Sequence, residues 1–143
     1  MDGSAADEPR RLVFELDQPI RWGDMDAMGH VNNTVYFRYM EQARIAWLEA
    51  VGARDADRAA GPLLVDTRCA FRRELRYPGT VRVRQYLIGF GRSSIRTELD
   101  IVRADEPDVV YATGEATLAW VDFTTRRSAP VPPAVRDAMR IRR

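Results

Sequence analysis

The chain has 143 residues, 45% hydrophobic and 30% charged, with 22 basic side chains against 21 acidic ones. That length supplies one domain around one core, and a formal charge of +1 gives no field to hold nucleic acid or an anionic membrane. A single cysteine, Cys69, excludes a disulfide scaffold, and no apolar run approaches the roughly 18–20 residues of a membrane span.

All the basic residues are arginine, so lysine Schiff-base chemistry is excluded and every cationic contact is made by a guanidinium fork. The start of the chain, Met1 to Arg11, is polar and acidic, unlike a secretory signal, which makes the cytoplasm the expected compartment. Residues 1–10 read as a disordered tail and 11–143 as a single domain.

From Leu12 the pattern alternates, with Leu12, Phe14 and Leu16 on one face, and predicts a half-buried strand whose Pro19 suits an edge or a bulge. Residues 22–33 then read as a loop rich in glycine and Asx residues. A helix follows from about Asn33 to Val51. At roughly 100° per residue, Val35, Tyr36, Tyr39, Met40, Ala43, Ala46, Trp47 and Ala50 fall within one half of its circumference, an arc wide enough to be enclosed on most sides. Asn32 or Asn33 can cap its start and Gly52 follows its end.

After a charged connector, 53–62, four strands are predicted: Leu63–Phe71, Val81–Phe90, Ser94–Arg103 and Val109–Asp122. A short helix opened by proline closes the chain near 132–141. The order predicts an α+β fold, an antiparallel sheet of about five strands wrapped around one long helix. Such a sheet leaves edges that a second copy would close.

The segment Asp24-Met-Asp26-Ala-Met-Gly29-His30-Val-Asn32-Asn33 concentrates the chemical signal: two carboxylates, the chain's one histidine and two amides, directly before a helix start. A helix N-terminus presents unpaired N–H groups and about half a positive charge, which favours an oxygen that turns negative during reaction. A carboxylate a few residues upstream is a candidate general base or nucleophile. Gly29 lets backbone approach a substrate or lets the loop turn. Simpler readings exist for each residue: Asp24 as a turn or cap, His30 as structural, the asparagines as caps. Two carboxylates and one imidazole match no metal spacing, so no metal is assigned. Cys69 sits mid-strand on the apolar parity and reads as a small core residue.

The stretch from Trp22 to Arg44 fits D-x-D-x-x-G-H-V-N-N-x-x-Y-x-x-Y-x-E-x-A-R at every fixed position. It resembles the signature of the hotdog-fold acyl-CoA thioesterases, nearest the 4-hydroxybenzoyl-CoA thioesterase-like branch, and the resemblance extends from about Leu12 to Pro132. It implies a hotdog fold, a homodimer with a continuous sheet or a homotetramer, and an acyl-CoA substrate. It implies hydrolysis of the thioester to a free acid and coenzyme A, with no metal or organic cofactor.

The resemblance further implies Asp26 as the catalytic carboxylate, as nucleophile or as base, and backbone N–H near Asn33 as the group that polarises the carbonyl. His30 is placed with them in catalysis. Gly29, Asn32, Tyr36 and Met40 are placed on the substrate, and Arg72, Arg82, Arg92, Ser93 and Ser94 are expected to meet the phosphates of coenzyme A. Rival readings keep the fold and change the partner: an acyl chain on an acyl carrier protein, or a non-catalytic acyl-CoA binding module.

Overall fold

The computed structural model describes residues 9–54, 56 and 58–143. Strand β1 (Arg11–Pro19) leads through a 3-10 turn (Trp22–Asp24) to helix α1 (Asn33–Ala50). Strands β2 (Ala60–Phe71), β3 (Thr80–Phe90), β4 (Ser94–Arg103) and β5 (Glu106–Asp122) follow, and α2 (Pro133–Met139) ends the chain. The five strands form one antiparallel sheet in the order β1-β3-β4-β5-β2, so β1 and β2 are its two edges. Among the described residues no helix is long and apolar enough to cross a membrane.

Helix α1 lies across the inner face of this sheet and is closed at both ends by its own sequence. Asn32 caps its start, its side chain accepting the Thr34 N–H at 2.9 Å. At the other end Gly52 takes φ +71°, and the N–H groups of Gly52 and Ala53 return to the carbonyls of Glu49 and Leu48. That is the paired return bond which glycine makes cheap at a helix C-terminus.

The buried stripe is Tyr36, Tyr39, Met40, Ala43, Arg44, Trp47 and Leu48. It is turned by about one residue from the expected arc: Arg44 and Leu48 go under, while Ala50 is exposed and Val35 and Ala46 are only half-buried. The shift follows from where the sheet offers cover, because Leu48 packs with Ala60 and Trp120 at the start of β2 and the end of β5. Beneath the helix, Val81 and Val83 of β3 and Leu99 and Ile101 of β4 close the core around Tyr36 and Met40. Each large side chain fully removed from water contributes roughly 1.5–3 kcal/mol. Met40 needs room: a Cβ at Gly114 would come within 2.3 Å of its sulfur, so β5 carries glycine there.

Register shifts interrupt all four strand pairings, and in β1 and β2 a bulge breaks the alternation. In β1 the register shifts between Leu12 and Phe14, so the fully buried residue is Val13. In β2 the shift between Leu64 and Asp66 leaves Leu64 paired opposite Leu118 and puts Val65 in the bulge. The final turn before β5 is also tighter than expected, since Pro107 lies within the strand. Of the expected tail, residues 1–8 lie outside the described residues. Its last residue, Arg10, is ordered: the guanidinium sits 3.9 Å from the Tyr86 ring centre and 3.0 Å from the Asp100 carboxylate.

Candidate active site

The loop between the 3-10 turn and α1 is folded by its own polar groups. Asp24 forms its anchor: one carboxylate oxygen accepts the Arg21 N–H at 2.9 Å and the Tyr39 hydroxyl at 2.8 Å. Its carbonyl accepts the Asn32 N–H at 3.0 Å, fastening the loop to the start of the helix. Burial and the adjacent carboxylate push the Tyr39 hydroxyl far above the ordinary tyrosine range, so it stays a donor to Asp24. Val31 is fastened as well, its N–H donating to the Leu75 carbonyl at 2.8 Å.

Within this frame residues 26–30 make a tight turn. The Asp26 N–H donates to the His30 carbonyl at 3.0 Å and the Gly29 N–H to the Asp26 carbonyl at 3.1 Å. Gly29 takes φ +84°, which costs a residue without a side chain nothing. The Asp26 carboxylate accepts the Met28 N–H at 2.9 Å on one oxygen and the Asn32 amide at 3.3 Å on the other.

The first N–H groups of α1 account for themselves in an informative way. Asn32 donates to Asp24, Thr34 to the Asn32 side chain at 2.9 Å, and Val35 to the Asn32 carbonyl at 2.9 Å. Among the described residues the N–H of Asn33 has no acceptor. Of the four donors that any helix leaves open at its start, this one alone remains.

Asp26, His30, Asn33, Tyr36 and Arg72 line a cavity of about 290 Å³, walled further by Phe71 and Glu74. Tyr36 and Phe71 meet edge to face at 5.0 Å, and the Tyr36 hydroxyl lies between the Leu75 N–H and the Arg73 carbonyl. His30 stands 3.7 Å from Glu74. A second opening of about 510 Å³ meets the first at Asp26 and is lined by Gly29, Trp22, Met25 and Tyr77. Asp26 thus lines both openings, and Asn33, with its open backbone donor, lines the first. A carbonyl compound placed there would have its oxygen toward a positive helix end and its carbon toward a base or nucleophile.

Not every expected residue reaches this space. Asn32 stands behind Asp26 as its partner and as helix cap. Met40 is buried in the core against Gly114 and lines neither opening. Arg82 lies on the outer face of the sheet, bonded to Asp17 at 2.8 Å, because the β3 parity that buries Val81 and Val83 sends Arg82 to the other side. Arg92, Ser93 and Ser94 form the β3–β4 turn, where the Ser94 hydroxyl accepts the Gly91 N–H at 3.0 Å. Within one chain that turn is remote. Ser94 aligns across β5 with Leu63, whereas the cavity sits at Phe71, eight residues and about 26 Å further along β2 at roughly 3.3 Å per residue. Glu74, Phe71, Trp22 and Tyr77 were not read as site residues; Trp22 opens the stretch that carries the resemblance but is not a fixed position of its pattern, and the other three lie at a strand end or in the turn before β3.

Residues 20–139 match the sequence model of the thioesterase-like superfamily. The chain belongs to that superfamily. It is 31% identical over 137 residues to the L-carnitine dehydrogenase/betainyl-CoA thioesterase of Agrobacterium fabrum, covering 94% of this chain and 27% of that protein. The chain thus spans about a quarter of that relative's length.

Among solved structures, the PA2801 protein of Pseudomonas aeruginosa superposes with a TM-score of 0.84 at 38% identity, over 90% of this chain and 98% of that one. Slr0204 of Synechocystis, a 1,4-dihydroxy-2-naphthoyl-CoA thioesterase, superposes with a TM-score of 0.79 at 16% identity, over 88% and 94% of the two chains. At that identity the likeness concerns the fold, and it is the hotdog fold expected from the sequence.

Proposed function

We propose that the protein hydrolyses the thioester of an acyl-CoA, giving the carboxylic acid and coenzyme A. The observation that carries this reading is that Asp26 and Asn33, whose N–H has no acceptor among the described residues, line one cavity at the start of α1. The thioester carbonyl oxygen takes the Asn33 N–H, whose bond strengthens as the oxygen becomes negative. Asp26 then either removes a proton from water as the water attacks the carbon, or attacks the carbon itself to form an acyl–Asp26 anhydride that water hydrolyses to the free acid and the regenerated carboxylate. In both routes the C–S bond breaks and the sulfur of coenzyme A leaves as thiolate and takes up a proton. The Asn32 amide holds one Asp26 oxygen in place, leaving the carboxylate one geometry toward the cavity. His30 and Tyr36 orient the substrate, and Arg72 stands at the cavity rim. The chemistry needs no metal or organic cofactor.

The same reading makes the protein a homodimer through β2. That edge carries Leu63, Leu64, Val65 and Phe71, each at least 41% exposed, on a strand whose outer row of peptide groups is open to pairing. Two copies paired antiparallel about the middle of β2 form one continuous sheet. The Phe71 end of one copy then lies beside the Leu63 row of the other. This brings the partner's Ser94, with the partner's Arg92 and the partner's Ser93, toward the cavity, which accounts for their distance from it within one chain. A lone free thiol fits a reducing compartment, and we place the activity in the cytoplasm.

Steady-state release of coenzyme A, followed with a thiol reagent across betainyl, short aliphatic and aromatic acyl-CoAs, tests the reading. Turnover of at least one class is expected. Binding of acyl-CoA with no turnover of any would make the protein a binding module, and turnover confined to acyl carrier protein would change the carrier.

A further inference from the structure

The sheet carries a second built cavity, at the β3–β4 end and away from Asp26. It has a volume of about 290 Å³ and is lined by Arg11, Arg96, Arg136 and Arg140 around Phe90 and Gly89, with no carboxylate among its lining residues. Elsewhere on the outer face, arginines face an acid on the neighbouring strand: Arg82 opposite Asp17 at 2.8 Å, Arg68 opposite Glu115 at 3.0 Å. Arg96 breaks that rule, since its cross-strand neighbours are Gly89 and Thr117. Among the described residues its guanidinium has no hydrogen-bond or ion-pair partner.

The other three guanidinium groups are held in place by contacts that leave their charge largely uncompensated. Arg136 donates to the carbonyls of Val131, Gly91 and Arg92 at 3.3, 2.7 and 2.8 Å and stacks 5.0 Å from the Phe90 ring centre. Arg140 stacks on the same ring at 5.1 Å, meeting only the exposed Asp137 at 3.5 Å. Arg11 donates to the Arg140 carbonyl at 3.2 Å. Carbonyls and an aromatic face orient a guanidinium without neutralising it. Four such charges around one small cavity repel one another until an anion enters.

We propose that this cavity is a phosphate-ester binding site. A phosphoryl group offers several acceptor oxygens to planar forks that donate in pairs, and a dianion offsets two of the charges. Gly89 keeps the approach open, because a Cβ there would lie 3.3 Å from the Arg96 guanidinium. The ester comes either from the nucleotide end of a coenzyme A substrate or from a separate phosphorylated metabolite.

Calorimetric titration with inorganic pyrophosphate at low ionic strength tests the site without turnover, and so independently of the hydrolytic reading. Saturable binding is expected in the wild type and in Asp26→Asn, weakened about tenfold or more in Arg96→Gln and Arg140→Gln. Arg136 is left intact because it tethers the β3–β4 turn. Kinetics on one acyl group carried by coenzyme A or by bare pantetheine then separate the sources. If Arg96→Gln raises KM for the coenzyme A ester alone, the bound phosphate is the substrate's own. If KM stays constant while pyrophosphate binding is lost, the ligand is a separate ester. Absent binding in the wild type, or binding unchanged in both variants with unaltered melting temperature, overturns the proposal.

Discussion

Asp24 and Asp26 stand two residues apart on one loop, carry the same group and face different fates. One oxygen of Asp24 takes both the Arg21 N–H and the buried Tyr39 hydroxyl, and its carbonyl holds the helix start. Asp26 takes one firm N–H from Met28 at 2.9 Å and a longer amide contact from Asn32 at 3.3 Å, and it borders both openings. The half of the loop with its hydrogen bonds complete is the frame. The half with a carboxylate and an N–H left over is where a substrate would find partners.

If this division is right, substitutions at the two positions separate stability from turnover. Asp26→Asn keeps an acceptor for Met28 and removes the base or nucleophile. We expect kcat to fall by about 10³-fold or more, with the melting temperature within a degree or two of wild type. Asp24→Ala should do the reverse. It strips the acceptor from a buried hydroxyl, which costs about 1–3 kcal/mol in urea unfolding, and lowers kcat less than Asp26→Asn does. Equal losses of turnover without loss of stability at both positions would dissolve the distinction.

The donor half of the proposed site has a substitution that isolates one hydrogen atom. Asn33 is the first residue of α1, and Asn32 before it has φ −61° and ψ 140°, the extended geometry that a following proline requires. Asn33→Pro therefore deletes the open N–H while leaving the helix intact. A drop of about 10²–10³-fold in kcat is expected, with Asn33→Ala near wild type as the control for the lost side chain. Were both variants equally active, another group would hold the carbonyl.

The architecture was legible because it rests on local periods: a helix with a wide apolar arc and strands with alternating faces predict the sheet and its central helix. What escaped were events of register. The bulges at Val13 and Val65 add one residue to one strand, so the alternation read from Leu12, Phe14 and Leu16, like any strict alternation along Leu63–Phe71, goes wrong on one side of each. In the candidate site, Asp26, His30 and Asn33, which line one cavity, were legible as neighbours because they are contiguous with a helix start. Arg82 was misplaced because facing is decided by strand parity, which a cluster of arginines does not reveal. Glu74 and Phe71 come from a segment far along the chain, which the pairing of Val31 with Leu75 and the contacts of Tyr36 with Phe71, Arg73 and Leu75 bring alongside.

The smallest effect tests the Asp24–Tyr39 anchor through pH. Burial first, and the bond to Asp24 second, raise the Tyr39 hydroxyl above its ordinary value of 10.0. The unfolded chain gives up this proton near pH 10 and the folded chain keeps it. The folded form then binds more protons, so stability is full below pH 10 and declines above it, by about 1.4 kcal/mol per pH unit for each such group. Tyr36, raised by burial, and Tyr111, raised by its bond to Glu106, add to the same decline. Tyr39→Phe should cost about 1 kcal/mol at pH 8 through the lost hydrogen bond, yet fall less steeply beyond pH 10. Urea unfolding at pH 8, 10 and 11 would therefore show the two proteins converging as the solution becomes alkaline. Parallel curves would mean that the Tyr39 proton is as easily lost in the folded chain as in the unfolded one, and that Asp24 owes its position to the Arg21 N–H alone.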